Sequence, residues 1–140
     1  MSNEIVRAAI EKRIVAWAKA QTPPIDVAFE NITYGPTVGK SYLAGFLLPA
    51  ETVNPSAGGS HSRYSGVYQV SVYTEAGKGS TAASALVNSI VNLFPCPTTI
   101  KQGSINVHID TTPSAASGRP DGNGFWMVPV TIKYRAEVFT

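Results

Sequence analysis

The residues able to do chemistry near neutral pH are few. His61 and His108 are the two histidines, and Cys96 is the one cysteine. His61 sits in Asn54-Pro-Ser-Ala-Gly-Gly-Ser-His-Ser62, where a Ser/His nucleophile pair can be drawn. No acid nearby in sequence is placed to orient it, and no nucleophile-elbow pattern is present. His108 and Asp110 stand two apart on one strand face, a start for a metal site that two ligands do not complete. A solvated strand face is the plainer reading. Cys96 has no partner for an intrachain disulfide or a multi-cysteine zinc site, and between Pro95 and Pro97 it reads as a small packed residue at a helix end.

The run Gly35-Pro-Thr-Val-Gly-Lys-Ser41 imitates a phosphate-binding loop, whose backbone amides cradle phosphates beside a lysine and a hydroxyl. Its spacing differs, with three residues between Gly35 and Gly39 where that motif has four. Its context differs as well, because Tyr42-Leu-Ala-Gly-Phe-Leu-Leu-Pro49 reads as a strand and not as a helix. The run is expected to be a turn. No cofactor is expected.

Charged residues make up 14% of the chain and the net charge is +2, with eleven basic residues scattered from Arg7 to Arg135. No basic cluster points to nucleic acid. The first residues lack the pattern of a secretion signal, and no apolar run is long enough to span a membrane. A soluble, cytosolic protein is the expectation.

The elements that must position these residues are organised around Tyr64 to Phe94, which reads strand, glycine turn, helix. Tyr68, Val70 and Val72 alternate with Gln69 and Ser71, the period of a strand with one face toward a core. Ala83, Leu86, Val87, Ile90, Leu93 and Phe94 follow the helical period, with Ser80 as the expected N-cap and Pro95 as the stop. A first helix, capped by Ser2 or Asn3, is expected to run to about Ala20. It turns Val6, Ala9, Ile10, Ile14 and Trp17 inward, and Glu4, Arg7, Glu11 and Lys19 toward water. Pro23-Pro24 closes it, and Val27 to Ile32 is a short strand. Ser104 to Asp110 alternates as a half-exposed strand. Phe125 to Val138 alternates longest, and Pro129 within it implies an edge or a bulge.

The fold class expected is α+β, a mixed and largely antiparallel sheet of four to five strands with two helices packed on one face. One domain spans residues 1–140, with flexible loops near 54–64 and 112–124. Connections of that length are uncommon in compact domains.

The order of these pieces resembles the small tail terminator and tail completion (minor tail) proteins of long-tailed bacteriophages. The most telling pieces are Gly66-Val-Tyr-Gln-Val-Ser-Val-Tyr73 with Gly77-Lys-Gly79, the helix ending in Leu93-Phe94-Pro95, and Trp126-Met-Val-Pro-Val-Thr-Ile-Lys-Tyr134. The resemblance implies a structural protein and no enzyme: a hexameric ring that caps the tail tube, ends its polymerisation and presents a head-joining surface. The partners implied are further copies of the chain, the tail-tube protein and a head-completion or neck protein. The implied location is the host cytoplasm during assembly, then the virion tail of a phage or prophage. Two other readings stay open, another minor tail or neck component of the same fold and, more remotely, a small nucleotide-binding or hydrolytic enzyme using Lys40 or His61.

A ring of identical subunits needs two different patches on each subunit, and long loops that order against a partner would supply contacts. The residues expected at an oligomer or tube interface are His61, Ser62, Arg63 and Tyr64 in the first loop, and Arg119, Asp121 and Asn123 in the second. The bland alternative is two surface loops without a role.

Overall fold

A computed structural model describes residues 2–22, 24–30, 34–37 and 39–139. Helix α1 (Ser2–Lys19) leads into β1 (Asp26–Ala28), β2 (Tyr42–Pro49) and the long β3 (His61–Glu75), then α2 (Thr81–Leu93). After it come β4 (Thr98–Gln102), β5 (Ile105–Ile109), the two-residue β6 (Ser114–Ala115) and β7 (Arg119–Pro120), and β8 (Phe125–Phe139). They form one eight-stranded sheet in the order β1-β2-β3-β8-β5-β4, with β6 and β7 also paired to β8. Only β1 and β2 run parallel.

The expected four to five strands fall short of this count for local reasons. Thr98-Thr-Ile-Lys-Gln102 is too polar to announce the edge strand β4, and two-residue strands are too short to show a period. The expected strand from Val27 to Ile32 is β1, which ends at Ala28. Ile32 lies outside the described residues, as do Pro23 and Val38.

β3 and β8 pair without interruption from His61↔Phe139 to Glu75↔Phe125. This register places Tyr68, Val70 and Val72 opposite Ile132, Val130 and Val128 on one face. Leu43 and Leu47 of β2 join them, and Val6, Ala9, Ile10 and Ile14 of α1 and Val87 and Ile90 of α2 pack over them in one buried cluster. Both helices therefore cover the same face, where removal of apolar area from water is the main stabilising term. Gly77 and Gly79 adopt positive φ in the turn that swings the chain from β3 to α2.

Several local expectations change. Ser2 and Asn3 lie inside α1. Ser80 is the N-cap residue of α2, as expected, and its carbonyl accepts from the Ser84 amide at 2.9 Å, but its hydroxyl makes no capping hydrogen bond. Cys96 is exposed, with its thiol donating to the Asp110 carbonyl at 3.1 Å. Glu11 does not face water: the Tyr68 hydroxyl donates to its carboxylate at 2.6 Å from beneath α1. Burial pushes the Glu11 carboxyl above its usual value against the Tyr68 hydrogen bond and the Arg7 charge. Burial, followed by the Glu11 contact, also raises the Tyr68 hydroxyl far above its ordinary value.

The segments expected as flexible loops carry regular structure only in part: residues 54–60 and most of 112–124 lie outside any helix or strand. Residues 61–64 are the start of β3, where Arg63 exchanges backbone hydrogen bonds with Val53 at 2.7 and 3.0 Å. Residues 112–124 contain β6 and β7, so this arm is laid along β8 and not extended as a free hairpin tip. The arm also explains Pro129. Its carbonyl accepts from the Ala116 amide at 2.9 Å, so its ring nitrogen faces the arm's side, where the ladder ends, and the β3 ladder loses no donor.

Gly45 is where Tyr68 crosses β2. A Cβ on Gly45 would lie 2.1 Å from the Tyr68 hydroxyl oxygen and 2.9 Å from its ring, whereas one on Gly35 would meet nothing within 4 Å. Gly45→Ala is expected to destabilise the protein by about 1–3 kcal/mol through overpacking, and Gly35→Ala to leave stability nearly unchanged. Urea unfolding of the two variants checks this; equal midpoints would contradict the close approach.

Candidate assembly surfaces

The candidate catalytic and metal-binding groups are engaged within the fold. The His61 imidazole Nε2 lies 3.3 Å from Glu137, an acid contributed by the distant β8, so the structure supplies the orienting carboxylate that local sequence lacks. Ser62 Oγ, however, is held by the Asn54 side-chain amide at 3.1 Å. His108 Nδ1 meets Thr99 Oγ1 at 3.2 Å, and Asp110 pairs with Arg135 at 3.0 Å. No group of three or more His, Cys, Asp or Glu side chains able to hold a metal occurs among the described residues. Lys40 does not open a helix: its ammonium pairs with Asp26 at 3.5 Å just before β2.

The interface candidates divide into two groups at opposite ends of the β3–β8 ladder. At about 3.3 Å per residue these ends are roughly 45 Å apart, so the structure does not bring the two groups together. At one end, strand alternation separates neighbours. His61 and Arg63 lie on the face away from the helices, opposite Phe139 and Glu137, while Ser62 and Tyr64 turn toward the helix face, opposite Val138 and Ala136. Arg63 Nε donates to Glu137 at 2.7 Å, Arg135 approaches the same carboxylate at 3.7 Å, and the His61 ring stacks on Phe139 with centroids 4.3 Å apart. Phe139 is itself 73% exposed. Burial acts to raise the Glu137 carboxyl, but hydrogen bonds from Arg63 and His61, reinforced by their charges, leave it below its usual value.

At the other end, β7 holds Arg119 opposite Met127. The Asp121 carboxylate accepts from the backbone amides of Asn123 at 2.7 Å and Phe125 at 3.1 Å, a local turn that aims the chain into β8. Asp121 therefore shapes the turn, whereas Arg119 and Asn123 are exposed. Beside this turn lies an aromatic cluster absent from the expected site. Tyr42 and Tyr73 stack at 4.5 Å, Phe125 meets Tyr42 edge-on at 5.2 Å, and Tyr34 closes on Tyr42 at 5.0 Å. Four separate segments contribute these rings: cross-strand register brings Tyr42, Tyr73 and Phe125 together, and Tyr34 joins them from the connection between β1 and β2. Behind the turn, Gly118 lies flat on the Trp126 indole, where a Cβ would come within 2.4 Å of the ring nitrogen. The arm is thereby fastened to the body.

With its histidines, its thiol and the acids of its candidate sites engaged in ladder and turn contacts, the molecule has the form of a small α+β structural module. The chain belongs to the phage tail terminator protein family, whose family model matches residues 5–134. It is thus a phage tail structural protein. Its fold is similar to that of a solved structure 34% identical in sequence, with a TM-score of 0.83 and coverage of 100% of this chain and 99% of that one. A comparison with curated proteins finds no match.

Because the folded Glu137 carboxyl titrates below its unfolded value of 4.5, its stabilising contribution is complete above that value and is lost as pH falls through the lower folded one. Glu137→Gln is expected to lower Tm at neutral pH, with the gap from the wild type closing under acid conditions. Melting curves across pH test this; a gap that stays constant into acid would contradict the ion-pair assignment.

Proposed function

We propose that this protein closes the tail tube: identical subunits assemble into a ring, a hexamer by family resemblance, that stops tube polymerisation and offers a surface for joining the head. The observation that carries this reading is the tail terminator family match over residues 5–134. The geometry supports it. The antiparallel β3–β8 strand pair, running the length of the subunit, exposes different chemistry at its two ends. His61, Arg63 and Phe139 form one contact surface and Arg119 and Asn123 the other, so a subunit in a ring can touch the tail-tube protein on one side and a head-completion or neck protein on the other. The protein acts by occupying the growing end of the tube, with no bond made or broken. Assembly takes place in the host cytoplasm and the ring stays in the virion tail.

Native mass spectrometry with negative-stain imaging is expected to show a closed ring of defined count. Added in small amounts to polymerising tail-tube protein, the ring is expected to shorten the tubes, and Arg119→Glu to weaken this effect without unfolding the subunit. Tubes that grow to the same length with and without the ring would overturn the capping role and favour a minor tail or neck component of the same fold.

A further inference from the structure

The sheet ends in β4, whose outer side no strand covers among the described residues. β4 and β5 form a hairpin in which the pair Gln102↔Ile105 brackets a two-residue turn, Gly103 and Ser104. Residues that bracket such a turn bond to each other, and the bonding direction alternates along the strand. Thr99 and Lys101 therefore turn their amides and carbonyls toward the open edge. An open edge is a template for one further strand.

Beside this edge, on the helix side of the sheet, a groove of about 580 Å³ runs between β4, α1 and the end of α2. Its apolar floor includes Trp17 of α1 and Ile100 of β4, both packed against the core. Lys12, Arg13 and Lys101 also line it, and no carboxylate does. Arg13 is engaged, donating to the Leu93 carbonyl at 3.0 Å and lying over the Phe94 ring. Lys12 and Lys101 are exposed and make no ion pair among the described residues. Strand alternation puts the Lys101 side chain, opposite Asn106, on the face away from the helices. Unpaired positive charge thus flanks the edge on both faces of the sheet.

The acids of this chain are poorly placed to meet those lysines. Asp26, Glu30, Asp110 and Glu137 are paired with basic side chains, Glu11 holds the Tyr68 hydroxyl, and Asp121 holds its own turn. Glu4 lies within α1, Glu75 ends β3, and Glu51 sits between Pro49 and a Val53 that is tied to Arg63. None of them belongs to a free extended stretch, so the complementary charge comes from a different chain.

We infer that the β4 edge binds an extended segment of another protein in which apolar and acidic side chains alternate. The segment pairs with β4 as a further strand, sets its apolar side chains on Trp17 and Ile100, and brings carboxylates to Lys12 and Lys101. Main-chain bonds at the edge supply affinity, and the groove with its lysines supplies the selection. This capture needs one subunit only, so it stands or falls separately from ring closure and tube capping.

The probe is a synthetic peptide of about ten residues, the upper range of strand lengths, in which valine alternates with glutamate. Titrated onto the full chain in a calorimeter, it is expected to bind saturably, to bind less tightly as salt is raised, and to slow hydrogen exchange at the Thr99 and Lys101 amides. A peptide with lysine in place of glutamate is expected not to bind. The double variant K12E with K101E, shown by circular dichroism and Tm to be folded, is expected to bind the acidic peptide at least about tenfold more weakly. No saturable binding of the acidic peptide, equal binding of the lysine peptide or of the double variant, or binding that leaves those two amides unprotected would each overturn the inference.

Discussion

The uninterrupted pairing of β3 with β8 is the constraint on which the rest of the molecule depends. A strand's side chains alternate strictly, so sliding β8 by one residue against β3 would turn Val130 and Ile132 away from the helices and bring Thr131 beneath them. The register is held over fifteen residues because the buried face is apolar on both strands at once. The same ladder fixes the distance between the subunit's ends, and it gives β2 on one side and β5 with the arm on the other a common platform.

Polar groups inside this framework are fitted to it. Tyr68 can lie across β2 only because Gly45 offers no side chain, and from there its hydroxyl finds Glu11 under the first helix. A carboxylate that would otherwise be costly to bury thus holds a hydrogen bond that ties helix to sheet. The arm behaves similarly. Gly118 allows it to lie on Trp126, and Pro129 tolerates a central position because its missing donor faces the arm and not β3.

Function follows from what these fits leave over. The histidines, the thiol and the carboxylates of Glu11, Asp26, Glu30, Asp110, Asp121 and Glu137 are occupied in contacts within the subunit, so the chemistry left to partners is that of surfaces: exposed rings and strand edges. Tail terminator family membership gives those surfaces a context of contact with other tail components. A long strand pair suits that context, since it holds the subunit's two ends roughly 45 Å apart.

How much of this was legible in the chain depends on the range of the interaction concerned. Local periodicity named both helices, β3, β5, β8 and the faces they bury, because alternation and the 3.6-residue repeat are written in neighbouring residues. The family resemblance was readable for the same reason, as an ordered series of such local patterns. What the sequence could not state was pairing. Glu137 reaches His61 and Arg63 only through the register of β3 on β8, and Tyr42, Tyr73 and Phe125 meet only across strands, with Tyr34 folding back on Tyr42 from the β1–β2 connection. Likewise, the sequence reads the two groups of interface candidates as parts of two loops without relating them in space, and the fold puts them at opposite ends of the subunit. The sequence by itself determined which residues go inside and in what kind of element. Tertiary structure decided which surfaces share a side, because cross-strand contact depends on a register set by the whole buried face and on no short stretch of residues.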